Sequence, residues 1–332
     1  MVNDQKMMSS EKESYLGDII TSSAKIDENI KMRHDKGIGI ANKILSTLQE
    51  VSFGVYHFEM GLLFRSSELL NGILFNTDAL FAMSDKHIEQ LEECDKYLLR
   101  GLFNAGGGTP IESLFIETST IPLRFILKGR RIMFYWTLLK KTEEELVKRV
   151  FNALQEFSSK GDWLSQVKDD LIEFDISLSA QQIKSMSRFR FKNLVQKKIK
   201  EKAAIYLTEL QMEHSKTVNL KQCSELPQYL TCEKLNTREK QLLFRLRNRT
   251  TPNKVNMKNM HKNDLSCIFC KDKNSEENLD HLLICSFLSD KVKDIEKIKS
   301  EDIFGSLEEQ VTAVKIWDKI FKLYEKQKDA ND

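Results

Sequence analysis

From residue 26 onward the apolar positions recur every three or four residues, the period of a helix with one face against a core. Residues 26–51 place Ile30, Ile38, Ala41, Ile44, Leu45 and Leu48 on such a stripe, with Gly37 and Gly39 inside it. Gly-Ile-Gly lacks a third glycine and a preceding strand, so a close helix contact or a kink fits it better than a phosphate loop. Residues 53–80 are richer still in large apolar side chains (Met60, Leu62, Leu63, Leu69, Leu70, Ile73, Leu74) and are expected to form a core helix. Ahead of all this, Tyr15-Leu-Gly-Asp-Ile-Ile20 reads as one short β segment ending at Thr21-Ser-Ser.

Capping residues punctuate the helical pattern. Ser84 is expected to cap a helix that runs through Leu91, Leu98 and Leu99 to Phe103 and stops at Gly106-Gly-Gly108. Thr109-Pro-Ile-Glu112 reads as a capping box with proline at the first helical position. Pro122 opens the next helix, in which Arg124, Lys128, Arg130 and Arg131 alternate with Phe125, Ile126, Ile132, Phe134 and Trp136. That interleaving suits either an amphipathic helix with snorkelling arginines or a nucleic-acid face. Thr142-Glu-Glu-Glu145 reads as another capping box, Asp162 as the cap of a stripe through Trp163, Val167, Leu171 and Phe174, and Ser179 and Thr237 as further caps. Residues 307–328 form an amphipathic tail carrying Val311, Val314, Trp317, Ile320, Phe321 and Tyr324. The predicted fold class is therefore mainly α.

Composition supports this, since only four prolines and thirteen glycines interrupt 332 residues. With 41% hydrophobic and 30% charged residues, no apolar run near the roughly 18 residues of a membrane span and a polar start, the chain is expected to be intracellular, nuclear or cytoplasmic, with no membrane partner. The net charge of +2 is unremarkable, but its distribution is not. Residues 184–202 carry eight Lys or Arg against one Glu, and residues 234–262 carry nine against one. Such blocks, balanced by acidic stretches elsewhere, are the footprint of a face that meets a polyanion.

The most specific chemistry is Cys267-Ile-Phe-Cys270 followed by His281-Leu-Leu-Ile-Cys285, a C-x2-C-x10-H-x3-C pattern. Two cysteines in a tight turn plus a histidine and cysteine four apart supply a complete tetrahedral set for one zinc ion, Cys267, Cys270, His281 and Cys285. The alternative, buried thiols beside an unrelated histidine, has to treat both spacings as coincidence. With all four positions filled by protein the site is closed and reads as structural rather than catalytic. The other cysteines, Cys94, Cys223 and Cys232, are odd in number and without framework spacing, as expected in a reducing compartment. His57, His87 and His214 have no nucleophile motif nearby, and no Gly-x-Ser-x-Gly or Walker loop occurs.

Several stretches, in order, resemble the region downstream of the polymerase palm in non-LTR (LINE-type) retrotransposon reverse transcriptases: Tyr15-Leu-Gly-Asp-Ile-Ile20, Leu98-Leu-Arg-Gly-Leu-Phe103 with Thr109-Pro110, Ile121-Pro-Leu-Arg124 with Gly129-Arg-Arg-Ile-Met-Phe-Tyr-Trp136, Gly161-Asp-Trp163, Leu243-Phe-Arg-Leu-Arg247 and the terminal knuckle. The resemblance implies a remnant of the palm end over residues 1–25, a thumb-like helical domain over 26–141, a helical linker over 142–235, and a basic helix, zinc-stabilised CCHC knuckle and terminal helix over 236–332. It implies RNA or DNA as partner, together with a palm-containing polymerase portion or a protein partner. Candidate phosphate contacts are Arg130, Arg131, Lys197, Lys198, Arg245, Arg247, Arg249, Lys254 and Lys258. The family's aromatic-x-Asp-Asp turn is absent, and Asp169-Asp170 sits in a helical stripe, so the chain alone is not expected to polymerise. The competing expectation is a domesticated adaptor that binds protein, for which the Trp317 and Phe321 stripe is the candidate docking face, although a core role suits such a stripe better.

Overall fold

The computed structural model describes residues 11–329 apart from 16–17, 22–25, 52, 78–81, 215–216, 218, 223–224, 252, 254, 256–264 and 273–274. Among them the chain is mainly helical. It begins with an antiparallel pair, β1 (Lys12–Tyr15) and β2 (Asp18–Thr21), in the register Lys12↔Thr21 to Tyr15↔Asp18. The single strand expected over residues 15–20 thus falls on two paired strands, with residues 16–17 outside the described residues, and β1 lies in residues too polar to signal it. The helices are α1 (Asp27–Val51), α2 (His57–Phe64), α3 (Leu70–Leu74), α4 (Asp85–Phe103), α5 (Ile111–Thr118), α6 (Leu123–Lys140), α7 (Leu146–Phe157) and α8 (Trp163–Glu173). They continue with α9 (Ala180–Ser185), α10 (Arg188–Glu213), α11 (Gln228–Thr231), α12 (Thr237–Arg247), α13 (Leu279–Ile284), α14 (Ser286–Lys291) and α15 (Leu307–Asp329).

The chain makes two compact units that alternate along the sequence. The first takes residues up to Ile44, then Phe64–Tyr97 and Ile121–Ala204; the second takes Leu45–Leu63, Leu98–Thr120 and Ile205–Asp332. Four of the five boundaries fall inside helices, and the fifth, Thr120 to Ile121, lies between α5 and α6.

In the first unit, α6 packs against α7, α8 and α9 and buries Phe125, Leu127, Ile132 and Leu139. Gly37 of α1 is a close-approach glycine: a Cβ there would come within 2.7 Å of the Cys94 sulfur. The apolar run over 53–80 is not one helix. A π-helical segment, Arg65–Leu69, separates α2 from α3, and Arg65 lies in a buried bidentate pair with Asp95, both bonds at 2.6 Å. The basic residues of α6 are mostly tied inward. Arg124 is bidentate to Glu92, Lys128 meets Glu173, and Arg131 is bidentate to Asp170 at 2.7 and 3.0 Å. Asp169 is exposed while Asp170 is buried in that pair, so the adjacent aspartates belong to a helix and form no metal-binding turn.

The second unit is built on Phe58, Phe103 and Phe244, the last two stacked with centroids 3.8 Å apart, and on α15. Trp317 and Phe321, the candidate docking stripe of the adaptor reading, are 0% and 4% exposed and take the core role that such a stripe suits better. Caps follow the sequence at Asp162, which accepts from Ser165 N at 2.7 Å, and at Ser179, which shares a full capping box with Gln182. They shift elsewhere. Asn236 rather than Thr237 caps α12, Glu145 is the residue before α7, and Thr109 caps nothing, because α5 begins only after Pro110.

Candidate metal centre

The turn carrying Cys267 and Cys270 closes with Lys271 N donating to the Cys267 carbonyl at 2.9 Å, and Lys271 adopts a left-handed φ of 54°. An isolated antiparallel bridge, Ser266↔Glu276, folds the intervening loop back on itself. Asn278 then caps α13 by accepting from His281 N at 2.8 Å, which sets the histidine in the first turn and Cys285 at the helix end. Each residue comes to its place through local turn chemistry, as the spacing implied.

The ligand atoms of Cys267, Cys270, His281 and Cys285 all lie within 4.8 Å of one another. Cys267 Sγ is 4.0 Å from Cys285 Sγ, and Cys270 Sγ is 3.5 Å from His281 Nε2. Tetrahedral bonds of roughly 2.0 to 2.3 Å require ligand-to-ligand edges of about 3.5 to 3.8 Å, so the four can converge on one metal ion once any wider pair closes by up to about 1 Å. Burial pushes the Cys267 thiol up to about 12, and the neighbouring Cys285 adds to that rise. A thiol held so high stays protonated at neutral pH unless a bound cation draws off its proton.

No residue pattern marks what braces the site. Glu277, 0% exposed, accepts from Ile268 N at 2.7 Å with one carboxylate oxygen and from the Tyr324 hydroxyl at 2.8 Å with the other. It links the Cys-x2-Cys turn to α15. Phe269 joins the same seam, stacked on Phe287 with centroids 5.6 Å apart and edge-on to Tyr324. Being 7% exposed, Phe269 has no free face for a base. Glu277→Ala is expected to destabilise the second unit by about 1–3 kcal/mol, because one buried and one part-buried donor lose their acceptor, and to speed loss of a bound metal to a competing chelator. Thermal melts and chelator-exchange rates of the variant check this; rates equal to wild type would contradict the bracing role.

The candidate phosphate contacts do not share one environment. Arg131 is buried with Asp170, and Arg247 bonds Glu117 at 2.7 Å and the Ile303 carbonyl while facing the Tyr229 and Phe304 rings. Both act inside their units rather than on a surface, a correction whose cause is a buried carboxylate opposite each. Arg245 is half-buried, and burial first, then the charge of Arg238, pulls it down from its ordinary value. Arg249 is exposed in a left-handed conformation, and Arg130 is half-exposed. Lys197 and Lys198 both meet Glu201, at 3.9 and 3.1 Å. Lys254 and Lys258 lie outside the described residues.

The fold and site therefore define a mainly helical protein with a Cys3His cluster able to hold a metal ion, and among the described residues no helix is long and apolar enough to cross a membrane. Comparison with known protein families, with curated proteins and with solved structures finds no match.

Proposed function

We propose that the chain is a nucleic-acid-binding C-terminal portion of a non-LTR retrotransposon reverse transcriptase, with its terminal module folded around one structural zinc ion. The observation that carries the reading is the solvent side of α10. Arg188, Arg190, Lys192, Lys197 and Lys200 are all exposed there, with Glu201 the one acidic residue between 188 and 202. Phe189, 73% exposed, stands between two of these arginines. Clustered cations beside a free aromatic ring suit phosphates and bases together. The order of sequence motifs supports the family, and the three thiols with one imidazole favour zinc over harder, oxygen-seeking cations. Catalytic carboxylates are not part of this proposal.

A salt titration tests it, with RNA and DNA in parallel. If about six phosphates are contacted, affinity falls roughly a thousandfold between 50 and 200 mM salt. Absence of binding, or a salt-insensitive complex, would overturn it. Metal analysis of the purified chain should return one zinc per molecule, and none after Cys267→Ser.

One observation favours a second reading as a protein-interaction adaptor. Helix α7 turns Leu146, Val150, Leu154 and Phe157 to solvent at 67%, 52%, 40% and 81% exposure, a continuous apolar stripe. A partner that remains bound after nuclease treatment and is released by Leu154→Asp would favour it.

A further inference from the structure

We infer that the groove between α6 and α10 is a binding site for a single strand of nucleic acid rather than a duplex, an inference that rests on the nucleic-acid reading above. Both helices contribute from within the first unit. The cavity encloses about 510 Å³ and its rim carries Arg130, Arg188, Lys192 and Lys200, with no carboxylate among the lining residues. Its floor is apolar, formed by Ile126, Met133, Val195 and Ile199. Gly129 lets the two helices come close enough to make that floor, since a Cβ there would overlap Cδ1 of Ile199.

Three features select the occupant. Arg188, Lys192 and Lys200 share one face of α10, because they stand four and eight residues apart, and they span about 18 Å at 1.5 Å per residue. No carboxylate of the described residues pairs with any of these three, whereas Lys197, Lys198 and Lys202 on other faces are bridged to Glu201 or Asp175. A row of unpartnered cations calls for a chain of anions. The apolar floor beneath calls for something flat and poorly hydrated on the same molecule. A single strand offers both, phosphates along the rim and an unstacked base over Met133, whose thioether interacts favourably with aromatic rings. A duplex hides its base faces in the stack and presents nothing that would dry the floor. An acidic peptide satisfies the rim alone.

Fluorescence anisotropy on the full chain, with a short single strand, its duplex, an abasic strand of equal length and a polyglutamate peptide, discriminates these occupants. The single strand is expected to bind tighter than the other three. Met133→Ser should weaken the single strand about two- to tenfold and leave the abasic strand unchanged. Lys192→Gln with Lys200→Gln, both exposed and tolerant of change, should flatten the salt slope for the single strand by about 1.4. Duplex or polyglutamate binding as tight as the single strand, abasic binding equal to it, or variants indistinguishable from wild type would overturn the site while leaving a nucleic-acid role elsewhere in the chain intact. No binding of any nucleic acid by the wild type would instead remove the broader reading, and this site with it.

Discussion

Stripping the metal, by chelation or by Cys267→Ser, is expected to unfold the segment around α13 and α14 and to lower the stability of the second unit by several kcal/mol. Small zinc modules draw on the order of 10 kcal/mol from their ion, because the ligands do not converge in the unfolded chain. Here the loss should be smaller than in an isolated finger. Phe269, Phe287 and Tyr324 form an aromatic seam that survives in part without metal, and Leu282 and Leu288 are fully buried. Hydrogen exchange offers the sharpest measurement. Amides of α13, such as that of Leu282, should lose protection on chelation, whereas α6 and α8 in the first unit should keep theirs. An unchanged exchange pattern would mean that the four side chains cluster without needing a metal.

Arg131→Met is expected to cost about 3–5 kcal/mol, since it strands the Asp170 carboxylate inside the first unit. Adding Asp170→Leu should recover most of that loss, because a buried ion pair contributes little beyond what an apolar pair of similar volume provides. A double variant as unstable as the single one would point to Gln166, which Arg131 also contacts and which in turn bonds the Met83 backbone. The pH dependence has a definite sign. Burial already holds the Asp170 carboxyl above its ordinary value, outweighing its bonds to Arg131. Between the ordinary and the raised value the folded state binds more protons than the unfolded state, so stability falls as pH rises through that window. Removing the guanidinium extends the window upward. The single variant should therefore regain stability on acidification more than wild type does, a trend that denaturant titrations at several pH values would reveal.

These two sites differ in how visible they are in the sequence, and the reason is physical. The metal cluster is local on each side: a two-residue turn, and a helical turn capped by Asn278, fix where each ligand goes. Asp162 and Ser179 were legible as caps for the same reason. Tertiary pairing leaves no such trace. Arg131 and Arg247 look like neighbours of phosphate in a basic run, and only the fold reveals Asp170, 39 residues away, and Glu117, 130 residues away, opposite them. Thr109 and Thr237 show the limit of cap patterns where two acceptable residues adjoin, since Pro110 and Asn236 take the flanking positions. The π-helical segment hides inside an unbroken apolar pattern, because one extra residue in a turn does not disturb a stripe that is apolar on most sides. The Lys192 and Lys200 row was present as a count of charges. Which of those charges stay unpaired depends on where Glu201 and Asp175 reach.

The Glu277 carboxylate couples the knuckle to a residue 47 positions downstream. A ribosome that stops before codon 324 would release a chain with every metal ligand in place yet with a buried acid lacking its hydroxyl donor and an aromatic seam lacking one ring. Loss of the last turns of α15 is therefore expected to loosen the cluster even though they carry none of its four side chains.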